Sequence, residues 1–418
     1  MTRVVVAGAG IAGVACAHAL AEADIEVDLV DRNDYHQFQP LLYQVATSQL
    51  PVEDVARPLR SIFDDLPQVT LHRGEIVALD AASRTVRLAD GTELAGHFLV
   101  VSAGARANFF GTDGAAEHSF PLYSVVDAER LRRHLADVIA GSPPYDVVVV
   151  GGGPTGVEVA GALAELFTAL RGTGHPAGAG AVTLVNHGTE LLAPFTRQTH
   201  EYALRTLTEM GVDVRLGIGV TEVAPIGVRL SDDSTIHSPT VIWAGGESAA
   251  PVVAGLDGLT GGGGRIDVGP NLTVPGHAEV YAIGDAANIP GPGGHMLPQL
   301  GSVALQSGQQ AAHNIARVAA DRGAKPFVYR DKGIMAMIGR GAAVAEIGAN
   351  HHHVQGAIAF AAWLGVHAHL LSGAHSQVDA FLEWAWDFFD RDHAAQLACF
   401  SEPTRIAWRD DAEPTITM

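Results

Sequence analysis

The chain has 418 residues, enough for roughly two or three domains with full cores. With 26 Lys and Arg against 46 Asp and Glu its formal charge is -20, which argues against nucleic-acid partners and against non-specific attraction to an anionic bilayer. Two cysteines, Cys16 and Cys399, exclude a disulfide framework and any C-x-x-C redox pair.

Met1 leads directly into an apolar run, without the basic, hydrophobic and cleavage segments of a secretory signal, so a cytoplasmic chain is expected. That run opens VVVAGAGIAGVACAHALAE, Val4 to Glu22, which reads as a β-branched strand, a G-x-G-x-x-G turn and an Ala-rich helix. Gly8 and Gly10 let the backbone turn sharply and approach a pyrophosphate, and Gly13 lets the helix pack close to the strand. The helix N-terminus offers free N–H groups and a partial positive charge to the phosphates. The next strand, VDLVD, ends at Asp31, about 18 residues past Gly13 and close to the roughly 20 expected of an acid that bonds a ribose hydroxyl. FLVVSAGARANFFG, Phe98 to Gly111, then puts a β-run before a small-residue turn.

Val147 to Glu165 writes the opening line again, VVVVGGGPTGVEVAGALAE, with Gly151, Gly153 and Gly156 in the glycine positions. Two copies in matched strand and helix context point to two dinucleotide-binding folds rather than to ordinary glycine turns. The loop GTGHPAGAGA precedes the second copy's next strand, VTLVN, which ends in Asn186, so this copy lacks the acidic ribose hook. TVIWAGGESAAP, Thr240 to Pro251, repeats the β-run and turn; with Phe98 to Gly111 it brackets an inserted second domain. VYAIGDAAN, Val280 to Asn288, supplies a further strand ending at Asp285. This carboxylate suits a polyol chain, with the following helix, SVALQSGQQAAHNIA, aimed at a ring oxygen; the alternative is that Asp285 caps a turn. His351 to His353 lie between Gly348 and Gly356 and read as a loop. No histidine spacing matches a four-ligand zinc site, so no metal is expected. The longest apolar region, near Ala357 to Leu371, is broken by His367 and His369 and is too short to span a bilayer. The fold class is therefore α/β, with two Rossmann-like dinucleotide-binding domains, the second inserted into the first, and a C-terminal helical segment. The boundaries are 1–111 with 270–330 for the first domain, 112–269 for the second, and 331–418 for the C-terminal segment.

Together these residues resemble the two-dinucleotide flavoproteins of the pyridine nucleotide-disulfide oxidoreductase type, and more narrowly the type II NADH dehydrogenases, which are single-chain NADH:quinone oxidoreductases. The likeness runs nearly end to end, through DRNDYHQFQPLLYQVATSQL, GGGPTGVEVAGALAEL, DKGIMAMIGRGAAVAEIG, AWLGVHAHLLSG and WAWDFF; FQPLLYQVAT is its most specific part. The resemblance implies FAD in the first domain, with the C-terminal segment completing the flavin site, and NAD(P)H in the second. It implies a ping-pong reaction in which NADH passes hydride to the flavin N5 atom and leaves, and the reduced flavin gives two electrons to a quinone. Cofactor contacts are then expected at Gly8, Gly10, Ala12, Gly13, Asp31, Arg32, Gln44 and Gly104, at Gly151, Gly153, Thr155, Gly156 and Asn186, and at Gly284, Asp285, Gly301 and Ser302. The cysteine count agrees, since relatives that act on disulfides or sulfide need a cysteine pair beside the flavin; Cys16 reads as a small core residue.

Aligning the two glycine motifs sets Glu158 opposite Ala15. In similar dehydrogenases this glutamate faces flavin and nicotinamide and is proposed to help move protons, a role suited to a buried carboxylate with a raised pKa. A solvated first-turn acid would instead only favour the helix dipole. Gln306 and Lys332 complete the set that the resemblance implies: type II enzymes carry Ala-Gln-x-x-x-Gln over the flavin, and Lys332 of DKG matches a lysine that approaches it in relatives, the alternative being a plain surface lysine. Here the stretch is GSVALQ, so Gln306 is kept while Ser302 replaces the other glutamine. Asn186 removes the repulsion that an acid exerts on the 2′-phosphate of NADPH, and no arginine follows to attract it. His187 is the neighbouring candidate and Arg197 the nearest arginine downstream, so discrimination between NADH and NADPH is expected to stay under about a hundredfold. The C-terminal segment offers Phe360, Trp363, Leu364, Leu370 and Leu371, then Phe381, Leu382, Trp384, Trp386, Phe388 and Phe389. Its charges are Asp379, Glu383, Asp387 and Asp390, with Arg391 nearby. The acids disfavour an anionic surface, so peripheral contact at the inner face of a membrane, a homodimer interface and a cover packed on the flavin domain all stay open for it. Two other functions stay open beside a quinone acceptor: a soluble relative reducing a small organic acceptor in a biosynthetic pathway, and a non-catalytic flavin redox sensor.

Overall fold

The structure, a computed structural model, describes residues 2–256, 259–348 and 350–370. Cys399 and the apolar and charged positions from Leu371 to Arg391 named above lie outside the described residues. The chain divides into two compact units, each assembled from three segments. One comprises Met1–Gln37, Arg57–Arg106 and Glu247–Asp331; the other comprises Phe38–Ala56, Ala107–Gly246 and Lys332–Met418. The breaks at 106/107 and 246/247 fall inside the two β-run-and-turn segments that bracket the insertion in the sequence.

The first unit is built on a six-stranded sheet ordered Thr273–Val274, His277–Ala282, Phe98–Val101, Arg3–Ala7, Glu26–Asp31 and Val69–Arg73. All pairs are parallel except the one formed by the edge strand Thr273–Val274. Parallel strands covered on both faces read as unbroken apolar runs, and Val4, Val5, Val6, Ala7, Leu99, Val100 and Val101 are all fully buried. The Ile11–Glu22 and Gly301–Ala319 helices cross so closely that a side chain on Gly308 would overlap the Ala12 carbonyl oxygen.

The second unit repeats the architecture with a five-stranded parallel sheet ordered Phe120–Pro121, Thr240–Trp243, Val147–Val150, Val182–Asn186 and Asp213–Leu216. A three-stranded antiparallel sheet, Gly333–Gly339, Ala342–Ile347 and His352–Gly356, follows, with the Ala357–Leu370 helix packed on it. His352 and His353 therefore belong to a strand, not to the loop that their flanking glycines suggest; the ladder to Glu346 and Ile347 draws them in. The 19-residue helix Pro154–Gly172 lies against the Gly333–Gly339 strand through Glu158, Gly161 and Glu165, which the helical repeat places on one face. Any side chain at Gly161 would overlap the Ile338 carbonyl oxygen. No helix among the described residues is long and apolar enough to cross a membrane.

Candidate functional site: two glycine-loop cradles

In the first unit the strand Arg3–Ala7 hands the chain to its helix through Gly8, whose φ of +115° and contact with the Ser102 carbonyl admit no side chain. The helix begins at Ile11 without a side-chain cap, so its first N–H groups have no intrahelical acceptor and point out of the loop. Gly10 faces open space, and Gly13 sits directly on the Gly8 carbonyl. Asp31 ties the loop: its carboxylate accepts the Ala9 N–H at 2.7 Å and the Asn33 N–H at 2.8 Å. Burial pushes this carboxyl above its usual range, opposed by those two bonds and by the Arg32 charge. Ala12 is buried in the first turn, Arg32 is exposed, and Gly104 turns with φ +69° while its carbonyl accepts the Ala250 N–H. Asp285 follows the left-handed Gly284 just past the His277–Ala282 strand. Among the described residues no donor reaches its carboxyl, so it does not cap a turn. Burial lifts the Asp285 and Glu247 carboxyls, and Arg265 pulls both down. Gly301 and Ser302 open their helix, again without a side-chain cap. Ser302 Oγ lies 2.8 Å from Tyr329 Oη, and Gln306 exchanges two bonds with the Arg330 main chain.

The second cradle matches the first. Gly151 has φ +112° against the Ala244 carbonyl, and Gly156 sits on the Gly151 carbonyl. Asn186 Oδ1 accepts the Gly152 N–H at 3.0 Å, as Asp31 does for Ala9. The likeness ends there, because Asn186 Nδ2 donates to Gly188 O at 3.1 Å and to Glu190 O at 2.9 Å. Both amide hydrogens are spent on the loop that follows, leaving Asn186 only acceptor capacity for a ligand. Gly153 and the exposed Thr155 flank the open side of this loop.

Glu158 is 9 % exposed, and its Oε1 accepts the Met337 N–H at 3.1 Å. Burial pushes its carboxyl up to about 8, with the Met337 bond opposing. It is therefore not a solvated first-turn acid. Tyr43 is also buried; its phenol is driven well above its ordinary value by burial and then by the Glu158 charge, and its oxygen accepts from Gln44 Nε2 at 3.1 Å. Lys332 is exposed, and its carbonyl accepts the Gly348 N–H. Within the first unit the structure thus gathers Gly8, Gly10, Ala12, Gly13, Asp31, Arg32, Gly104, Gly284, Asp285, Gly301, Ser302 and Gln306. Gln44, Gly151, Gly153, Thr155, Gly156, Glu158, Asn186 and Lys332 lie in the second. Tyr43, Tyr329 and Met337 escaped sequence reasoning. Tyr43 stands inside FQPLLYQVAT and Tyr329 two residues before DKG, but neither occupies a motif position.

Two cradles of the same construction, each with a strand-end side chain tied to its own glycine loop, define an oxidoreductase of the two-dinucleotide class. Residues 2–308 match the family described as pyridine nucleotide-disulphide oxidoreductase. A type II NADH:quinone oxidoreductase of Mycobacterium tuberculosis is 33% identical over 417 residues, covering 92% of this chain and 88% of that protein. A second from the same organism is 34% identical, covering 96% and 90%. The chain belongs to the type II NADH:quinone oxidoreductase family. Its fold superimposes on NDH2 of Plasmodium falciparum in complex with NADH with a TM-score of 0.86, at 16% identity, over 94% of this chain and 99% of that one. The sulfide:quinone oxidoreductase of Aquifex aeolicus follows at 0.75 and 18% identity, over 94% and 96%.

Proposed function

We propose that the protein is an FAD-dependent oxidoreductase that takes hydride from NADH or NADPH and passes two electrons to a quinone-type acceptor. The observation that carries this reading is the pair of matched cradles, one with an acid at its strand end and a second, half-buried carboxyl, Asp285, that finds no donor among the described residues. A half-buried carboxyl without a protein donor gains when a ligand supplies one, as the hydroxyls of a ribityl chain would. Gly8, Gly10 and Gly13 with the helix N-terminus would receive the pyrophosphate of FAD, Asp31 its ribose, and the Gly301 end of the second helix its ring. Gly151, Gly153, Thr155 and Gly156 would receive the nicotinamide dinucleotide. Bound FAD supplies the redox chemistry, taking two electrons as hydride and releasing them to the acceptor.

Glu158 does the proton work in this reading. With its carboxyl pushed up to about 8 it is held largely protonated at neutral pH, while its Oε1 accepts the Met337 N–H. It is poised to give or take a proton as charge builds nearby. Lys332 is an exposed cation of the second unit, and its part in flavin chemistry rests on the family resemblance alone. The relatives' names support a quinone; Phe360 and Trp363 are buried, and only the exposed Ile358 and Val366 of the last described helix support a peripheral contact with a membrane surface.

Native purification followed by anaerobic titration tests the function. The protein is expected to be yellow, to lose its flavin absorbance on adding NADH, and to regain it on adding a soluble quinone. A colourless protein that takes up no FAD, or a flavin that NADH leaves oxidised, would refute the proposal.

A further inference from the structure

The Gly301–Ala319 helix carries polar residues at every fourth position, Ser302, Gln306, Gln310 and Asn314, along one face. That face grips the extended segment 323–331, which runs back along the helix. Arg317 Nε donates to Gly323 O at 2.8 Å. Asn314 Oδ1 accepts the Lys325 N–H at 2.8 Å while its Nδ2 donates to Lys325 O at 2.9 Å. Gln306 repeats the device, accepting the Arg330 N–H at 3.0 Å and donating to Arg330 O at 3.1 Å. Each amide imitates a β-ladder pair and pins the segment's main chain in register.

The result delivers one side chain to the start of the helix. Tyr329 packs against the apolar core of the first unit with its hydroxyl 2.8 Å from Ser302 Oγ. The helix start borders the first cradle: a β-carbon on Gly301 would lie 3.5 Å from Ile11 Cδ1, and one on Gly284 would lie 2.8 Å from Ala12 Cβ and 3.6 Å from Ala304 Cβ. When Ser302 donates to the phenol oxygen, the phenol proton is free for a third group, and each bond in such a chain strengthens the next. Burial raises the phenol above its ordinary value, so it stays a neutral donor at working pH.

We propose that Tyr329, backed by Ser302, donates the hydrogen bond that meets a carbonyl oxygen of the quinone acceptor, and that Gln306 is a positioning residue acting through the segment it pins. The inference rests on the quinone-reductase reading above. A quinone oxygen only accepts hydrogen bonds and gains negative charge as the ring is reduced, so a fixed neutral O–H stabilises it most where charge develops.

The test compares wild type with Tyr329→Phe, Ser302→Ala, Gln306→Ala and the Tyr329→Phe/Gln306→Ala double variant, all as holoenzyme with flavin content checked by absorbance. Quinone binding is read without turnover from quenching of oxidised-flavin fluorescence by a short-chain benzoquinone. Turnover is read as the ratio of kcat/KM for that quinone to kcat/KM for ferricyanide, which offers no carbonyl oxygen. Tyr329→Phe should weaken quinone Kd and lower the ratio, each by about tenfold. Ser302→Ala should move both the same way by less, and Gln306→Ala should add nothing once Tyr329 is Phe. Unchanged Kd and ratio in flavin-replete Tyr329→Phe, or a further loss in the double variant, overturns the inference while quinone reduction by wild type still stands. A wild type that neither binds nor reduces quinone overturns the functional reading and this inference with it.

Discussion

Glu158 shows how far a single residue can be read. Comparing the two glycine motifs isolates it, because the first copy has Ala15 at the same place, but only the fold shows that it is buried and that Met337 N–H holds one oxygen. Glu158→Gln keeps that acceptor and removes the proton, so the variant should fold and slow a half-reaction by about tenfold or more, as stopped-flow absorbance of the flavin would show. Its stability should change with pH in a defined direction. The folded carboxyl titrates near 8 against an ordinary 4.5, so the unfolded chain ionises first and wild-type stability falls as pH rises between those values. The fall should be on the order of a few kcal/mol, and Glu158→Gln should lose it in urea denaturation at pH 5 and pH 8. Asn186 reads differently. Its missing charge is plain in the sequence, yet its two donor bonds to Gly188 O and Glu190 O depend on how the next loop closes. Asn186→Asp would set a carboxylate against two carbonyls and should cost about 1–3 kcal/mol. An acid reinstated there should therefore shift the NADH to NADPH ratio of kcat/KM by less than about tenfold, from a wild-type preference under about a hundredfold either way. A thousandfold preference in wild type would show that other residues choose the nucleotide.

At the scale of elements, regular strands and helices of the two cradles follow from local pattern: Val147–Val150 is four buried valines, and Pro154–Gly172 starts on Pro and runs on Ala and Leu. What local pattern does not carry is how elements are joined. The Arg197–Glu209 helix has Thr196 at its N-cap without a side-chain cap bond. Its start is held instead by Glu346, 150 residues later on the Ala342–Ile347 strand and 1 % exposed. Glu346 Oε1 accepts the Thr196 N–H, the Thr196 hydroxyl and the Thr199 hydroxyl, each at 2.7 Å, and Oε2 lies 3.1 Å from His351 Nδ1. Burial alone would raise this carboxyl; the bonds from Thr196, Thr199 and His351 outweigh it and leave it below its ordinary value. An anion at a helix start also meets the positive end of the helix dipole. Glu346→Gln, nearly the same shape without the charge, should cost about 1.5–3 kcal/mol at pH 7. Because the folded pKa is depressed, that contribution is present above the unfolded value and disappears as pH falls through the folded one, so the variant and wild type should converge in acid. Equal urea midpoints at pH 7 would show that the cluster is not stabilising.

On the scale of the whole molecule, neither unit is a continuous stretch of chain, and this governs what a ligand does to each. The breaks near residues 106 and 246 fall in segments where an apolar β-run precedes small residues, the second of them well before the boundary at 269/270 expected from the sequence. The placement of Phe38–Ala56 in the second unit was not legible in the sequence. Its short helix Leu42–Ala46 is buried all round and packs on the Val125–Ala140 and Pro154–Gly172 helices, a choice made by distant partners that leaves no period in the local sequence. The first unit brings Gly8 and Asp31 from its first segment, Gly104 from its second, and Asp285 and Ser302 from its third around one cradle. A ligand that binds only the folded form adds RT ln(1 + [L]/Kd) to stability, and here FAD would also tie the three segments together. Removing FAD should therefore lower Tm and raise amide hydrogen exchange chiefly in 2–37 and 259–331, with much smaller changes in 107–246. Adding NADH to the flavin-loaded protein should instead protect peptides around Gly151–Gly156 and Asn186. If FAD removal loosened 107–246 as much as the first unit, the assignment of the two cradles to their nucleotides would be wrong, whatever the protein's activity.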